Sequence, residues 1–286
     1  MLSFLMHELN LVDKSFDLKF ASEYHLSIQA GLDGFSFCIL DIHCNKYLVL
    51  RHLPLIVGKP QFLTKKIEAI FEQEELLNAS YKTVSIIYST SKATLIPKIF
   101  AQQDNAAKIA YFTNEINRNE AILTDELPGL NYQLAYSFPK ELLALFNRKF
   151  TEFKISHKSL SILFSAINQR NEKKNTLLIN FEKKYIRIIV LKGLEISFYN
   201  SYFFKNESDF LYYTLNTCQS LHLDPEEDEI LIGGYVADDS SYMRQLKKYL
   251  SNVHFLKPST DFNYGNFFEK VQKHQFVSLL NTYTCE

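Results

Sequence analysis

Few residues in this chain have the types and spacing that chemistry needs. Gly31 and Gly34 flank Leu32-Asp33, and Gly233-Gly234 sits inside the run Ile232–Tyr235. A residue without Cβ lets backbone N–H groups come close to a phosphate, so both places are candidates for contact with an anion. The composition speaks against two such loops, because the chain has only eight glycines in 286 residues, well below the usual ~7%. Asp33-Gly34 between alternating apolar runs reads better as a hairpin turn. Gly233-Gly234 reads better as a strand end entering a turn. His43-Cys44, with Cys38 nearby, offers imidazole and thiol, but no further ligand pair follows at metal-site spacing. The acidic run Asp224–Glu229 lacks the alternate spacing of a calcium loop and reads as a solvated loop. No zinc-protease helix, nucleophile elbow or Walker loop is written anywhere.

Composition narrows the class. With 286 residues and 47% hydrophobic, the chain can bury two cores. A formal net charge of −1 gives no global field for nucleic acid or anionic lipid. Cys38, Cys44, Cys218 and Cys285 form no C-x-x-C pair, so a reducing, cytoplasmic setting is expected. Met1–Asp13 has no basic start and no small-residue cleavage site, unlike a signal peptide. No apolar stretch approaches the roughly 18 residues of a membrane span, so no membrane insertion is expected.

The elements that would position the glycines are written twice. Leu26–Gln29, Phe35–Asp41 and Tyr47–Leu53 read as three successive strands; so do Thr176–Phe181, Tyr185–Leu191 and Leu194–Phe204. A helix follows each triplet, with inner stripes Leu63, Ile67, Ile70, Phe71 and Leu211, Leu215, Cys218, Leu221. Each helix leads into a buried strand, Thr83–Ser89 or Glu229–Tyr235. A further helix is expected over Asp239–Leu250 with Tyr242, Met243, Leu246, Tyr249 and Leu250 facing inward. Between the copies, Ala121–Leu123 and Tyr132–Phe138 read as strands, Pro139–Phe150 and His157–Gln169 as helices. The plan is an α/β fold of duplicated β-β-β-α-β-α units, each with a mixed five-stranded sheet. Residues 1–168 would form the first lobe, the polar stretch 169–175 a linker, and 176–286 the second lobe. The aromatic run Tyr202-Phe203-Phe204 cannot turn all its rings to one face of a strand, so part of it is expected at the surface.

This duplicated unit, with a glycine pair after a later strand, resembles the actin, hexokinase and heat-shock-chaperone superfamily of ribonuclease H-like folds. Ser15-Phe16-Asp17 ahead of the strand Leu26-Ser27-Ile28-Gln29, and Thr94–Pro97 (T-L-I-P), look most like an uncharacterised bacterial family with an actin-like ATPase fold. The resemblance implies an aspartate at the end of each first strand, where carboxylates hold hydrated magnesium and orient water. Here those positions carry Gln29 and Asn180, with Glu182 in the second glycine position. An amide brings no charge to a divalent cation, and a carboxylate beside a phosphate site would repel the anion. The same resemblance places Gly233-Gly234 where adenosine would lie.

The expectation is therefore a non-catalytic, pseudo-ATPase scaffold with a protein partner and no nucleic acid, catalytic residue, metal or cofactor. The alternative is a nucleotide-binding protein, or a weak ATPase or sugar-kinase-like enzyme, using Gly31, Asp33, Gly34, Gly233 and Gly234.

Overall fold

In a computed structural model of the chain, residues 7–55, 57, 62–101 and 105–285 are described. Met1–Met6, the first part of the Met1–Asp13 stretch read above as unlike a signal peptide, lie outside them. The chain divides into two compact units, one of His7–Ser161, Ser259–Val271 and Ser278–Glu286, the other of Ile162–Pro258 and Gln272–Val277.

The first unit opens with β1 (Leu9–Val12), β2 (Tyr24–Gly31), β3 (Gly34–Asp41) and β4 (Lys46–Pro54), followed by α1 (Leu63–Gln73) and β5 (Thr83–Ser89). Next come β6 (Ala93–Pro97), α2 (Asn105–Thr113), β7 (Glu120–Glu126), β8 (Tyr132–Pro139), α3 (Lys140–Lys149), β9 (Lys154–His157) and the start of α4 (Lys158–Gln169). Its main sheet is six-stranded, β1-β4-β3-β2-β5-β9, and β6-β8-β7 form a separate three-stranded sheet. The sixth strand departs from the expected five: Leu9-Asn10-Leu11-Val12 is short but alternates, and pairs antiparallel with β4 from Leu9↔His52 to Val12↔Val49. Its core joins Leu26, Ile28, Phe35 and Phe37 of the sheet to Leu63, Ile67 and Phe71 of α1 and to Leu142, Leu145 and Phe146 of α3. Each such fully buried aliphatic or aromatic side chain contributes roughly 1.5–3 kcal/mol.

The second unit contains β10 (Asn175–Phe181), β11 (Tyr185–Lys192), β12 (Glu195–Phe203), α5 (Glu207–Ser220), β13 (Glu229–Gly234), α6 (Ser241–Leu246) and β14 (Val253–Phe255). Its sheet runs β12-β11-β10-β13-β14. Leaving out β1, both sheets share one plan: three antiparallel strands, then two parallel strands beyond the first of them. Even the register irregularity recurs, between Ile39 and Leu40 and between Val190 and Leu191. α7 (Val277–Leu280) follows near the end of the chain.

Two helical stripes differ from expectation. In α5 the buried residues are Phe210, Thr214, Thr217 and Cys218, while Leu211, Leu215 and Leu221 only flank the core. The helix starts where Asn206 accepts the Asp209 N–H at 3.0 Å, and the phase set by this cap turns Phe210 inward against Phe181 and Tyr242. The helix expected over Asp239–Leu250 stops at Leu246 and finishes in turns, which leaves Tyr249 53% exposed while Tyr242, Met243, Leu246 and Leu250 stay buried.

Candidate functional site

The two places of interest are the ends of β2 and β10, the strands at the same position in their sheets. Gln29 lies across from Ser36 of β3 and Ile87 of β5. Asn180 lies across from Arg187 of β11 and Gly233 of β13. Both amides are buried, at 4% and 2% exposure.

Alternation along each strand sends apolar residues to the helix-covered core and polar ones to the opposite face. On the first sheet that second face carries His25, Ser27, Gln29, Ser36 and His52, all buried. Several of its polar atoms are committed locally. His25 Nδ1 meets Thr83 Oγ1 at 2.8 Å and its Nε2 meets Ser27 Oγ at 2.9 Å. Ser36 Oγ bonds His52 Nδ1 at 2.7 Å. Late in the chain, Ser278 returns to this face and donates its hydroxyl to Gln29 Oε1 at 2.6 Å. The Cys38 thiol points to the Leu279 carbonyl at 3.8 Å, and the Tyr47 hydroxyl donates to the Leu280 carbonyl. The chain's own C-terminal segment thus covers the surface that ends in Gln29.

Burial, and secondarily Lys154, push the His25 imidazole down to about 3 from 6.5. The neutral ring is favoured in the fold, so its contribution is complete above about pH 6.5 and is lost as pH falls towards 3. Urea unfolding of the wild type is expected to show stability declining below pH 6.5 by up to ~1.4 kcal/mol per pH unit from this group. In His25→Gln that part of the slope should disappear.

On the second sheet, Asn180 Nδ2 donates to Glu182 Oε1 at 2.8 Å. Glu182 is 1% exposed and Arg187 fully buried. The Arg187 guanidinium lies over the rings of Tyr185 and Tyr199, each 5.5 Å away, and its Nε donates to Ser201 Oγ at 3.2 Å. Burial opposes its charge, but Tyr199, Tyr185 and Glu182 together raise its pKa above the ordinary value. Glu182 therefore does not stand open beside an anion site, as its position suggested. It belongs to a buried polar cluster with Asn180 and Arg187.

At the glycines the surrounding space is taken by the protein. A Cβ on Gly31 would stand 3.1 Å from Ser89 Cβ, and one on Gly34 2.6 Å from His52 Cε1. At Gly233 it would meet Leu256 Cδ1 at 3.0 Å and Asn180 Oδ1 at 3.1 Å. Gly234 has φ +81°, and a Cβ there would stand 2.1 Å from the Phe181 carbonyl oxygen. That oxygen accepts the Tyr235 N–H at 2.9 Å, so the glycine serves the junction of β13 with β10. Gly31 and Gly34 close the β2–β3 hairpin as register partners, with half-buried Asp33 in its two-residue turn.

The remaining constellations do not converge. His43 and Cys44 are exposed, with their backbone N–H groups on Asp41 Oδ1 at 2.9 and 3.4 Å, whereas Cys38 is buried and burial holds its thiol pKa well up. Within the acidic run Asp228 is buried rather than solvated: it accepts the Asp224 N–H at 2.9 Å and the Asn175 N–H at 3.0 Å, organising the turn before β13. Among the described residues no group of three or more His, Cys, Asp or Glu could hold a metal ion. A pocket of about 570 Å³ in the first unit is lined by Asp13, Lys46, Asn263 and Asn266 among others, away from Gln29 in sequence and on the side of β1. Its Lys46 ammonium is paired with Asp13 at 2.9 Å.

The sequence profile of a protein family described as "Protein of unknown function (DUF3822)" matches residues 13–253. The chain belongs to this family. Among solved structures, this family member is similar to a Bacteroides thetaiotaomicron protein with actin-like ATPase fold and unknown function. The two are 24% identical over 84% of this chain and 93% of that one, with a TM-score of 0.77. It is also similar to a chain of the PilM–PilN type IV pilus biogenesis complex, at 11% identity over 92% of this chain and 98% of that one, with a TM-score of 0.61. Among curated protein sequences none matches. The fold is that of the actin-like ATPases, as the resemblance implied. Among the described residues no helix is long and apolar enough to cross a membrane.

Sequence reasoning missed Arg187 and Ser278. Arg187 had a signal, as the one charge within the apolar run Tyr185–Leu191, but nothing in that pattern says the arginine is buried. Ser278 had none, since its partner Gln29 is 249 positions away.

Proposed function

We propose that this family member is a non-catalytic, actin-like protein of the bacterial cytoplasm, a pseudo-ATPase that serves as a protein-binding scaffold and arose by internal duplication. The observation that carries this reading is the state of the two strand-end amides. Gln29 and Asn180 stand where the resemblance places magnesium-organising aspartates, and both are buried and spent on internal hydrogen bonds, to Ser278 and Glu182. Neither supplies the charge that a hard divalent cation demands. The shared strand order of the two sheets supports duplication. Similarity to PilM, seen in a complex with PilN, supports a protein partner by analogy of fold.

The other reading, a nucleotide held over Gly31, Asp33, Gly34, Gly233 and Gly234, is weakened because protein atoms already account for the glycine at 234. A phosphate-release assay with ATP and magnesium separates the two. The scaffold reading predicts no release above the protein-free blank. Sustained turnover that Asp33→Asn abolishes would overturn it.

A further inference from the structure

In the first unit, α2 lies on the small sheet β6-β8-β7 and turns Ala106 and Ala110 into a core shared with Ile96 and Ala135. At about 3.6 residues per turn, the side of the helix opposite those alanines carries Lys108, Tyr111, Phe112 and, just past its end, Glu115. The Asn114 N–H still bonds the Ala110 carbonyl at 3.0 Å, which continues the last turn towards Glu115. All four outward residues are exposed. Phe112 is 93% exposed and Tyr111 52%. In the helical turn Lys98–Phe100 just before α2, Ile99 is 74% and Phe100 61% exposed. A single exposed apolar side chain is ordinary; four large ones on two adjoining elements need a reason.

The outward face of α2 is complementary to itself. When two α2 helices are laid antiparallel and centred between Tyr111 and Phe112, Lys108 of each copy comes level with Glu115 of the other. Both charges then stand about one turn from the centre, on the same side as the rings. Among the described residues neither Lys108 nor Glu115 has an ion-pair partner within the chain. Sliding one helix by about two turns sets Lys108 against Lys108 or Glu115 against Glu115, so the charges select the register.

The area is also sufficient. At roughly 150–250 Å² for a buried aromatic, the exposed parts of Phe100, Tyr111 and Phe112 come to on the order of 400 Å² per copy. That is about half of the ~800 Å² per partner in a standard interface, before Ile99 and the flanking polar residues are counted. We propose that two copies of this chain associate by antiparallel packing of their α2 helices, with Tyr111 and Phe112 at the centre and a Lys108–Glu115 pair at each end.

Sedimentation equilibrium of the full chain over a range of micromolar concentrations tests this. The expected result is a reversible monomer–dimer equilibrium. Phe112→Asp changes a side chain that faces solvent in the single chain, and is expected to leave only monomer across that range. Lys108→Glu places like charges at both ends and is expected to weaken the dimer about tenfold. The double variant Lys108→Glu/Glu115→Lys is expected to restore it, a rescue that a misfolded variant could not give. A monomer at every concentration, a dimer that Phe112→Asp leaves unchanged, or a double variant no tighter than Lys108→Glu alone would overturn the proposal. No nucleotide or partner protein enters the assay, so its outcome is independent of the scaffold reading.

Discussion

Gly234→Ala is expected to destabilise the protein by about 3 kcal/mol or more, a large single-residue effect. Two causes add. The φ of +81° is a conformation that residues with a Cβ adopt only at a cost, and the new methyl would stand 2.1 Å from the Phe181 carbonyl oxygen. The obstacle is backbone in the middle of a sheet. It cannot swing aside as a side chain would, and moving it breaks the Tyr235 N–H bond to the same oxygen. Thermal unfolding without any ligand is the measurement. A variant that melts like the wild type would mean that the glycine serves something other than the β10–β13 junction. By contrast, Gly233→Ala meets the Leu256 methyl at 3.0 Å and the Asn180 amide at 3.1 Å, both side-chain atoms that can give way, so its cost should be clearly smaller.

The second large effect is expected at Arg187. Arg187→Met keeps much of the volume but removes the positive charge from a cluster that holds the buried carboxylate of Glu182. Removing one partner from a buried charged group typically costs 3–5 kcal/mol, because the remaining charge has lost its compensation. Substituting both sites can be nearly neutral, since the desolvation cost disappears with the charges. Chemical denaturation should therefore show Arg187→Met strongly destabilised and Arg187→Met/Glu182→Gln recovering most of the loss, a coupling expected of residues in one network. Equal stability of single and double variants would show that Glu182 and Arg187 act independently.

Much of the fold was legible in the sequence, for physical reasons visible in particular residues. The strand Thr83–Ser89 is an apolar run too short for a helix and has the bounds expected of it. The triplets were readable because turns punctuate them: Leu32-Asp33 separates two largely alternating runs, and Glu182–Lys184 separates two continuous apolar ones. Helix phase was less readable. In α5 two tyrosines and three leucine or phenylalanine positions leave several apolar stripes open, and the Asn206 cap decides among them. Tyr202-Phe203-Phe204 divided as alternation requires, with Phe203 64% exposed and Phe204 packed against Phe181 and Tyr242.

The candidate site was legible as far as residue identity goes. Gln29, Asn180 and Glu182 could be picked out by position in the repeat. What they bond to could not, because hydrogen bonds such as Ser278 to Gln29 join segments that only the tertiary fold brings together. The same limit hid the buried face of His25, Ser36 and His52. Alternation marked those residues as sharing a face, but polar alternation ordinarily signals solvent. Here the chain's own C-terminal residues cover them.

The central claim is that the strand ends carrying Gln29 and Asn180 are finished within the protein and organise no magnesium nucleotide. Calorimetric titration of the purified full chain with ATP and with ADP, each with and without magnesium, tests it most directly. The account predicts no heat of binding at millimolar nucleotide under any of the four conditions. Micromolar binding that strengthens when magnesium is added would contradict it.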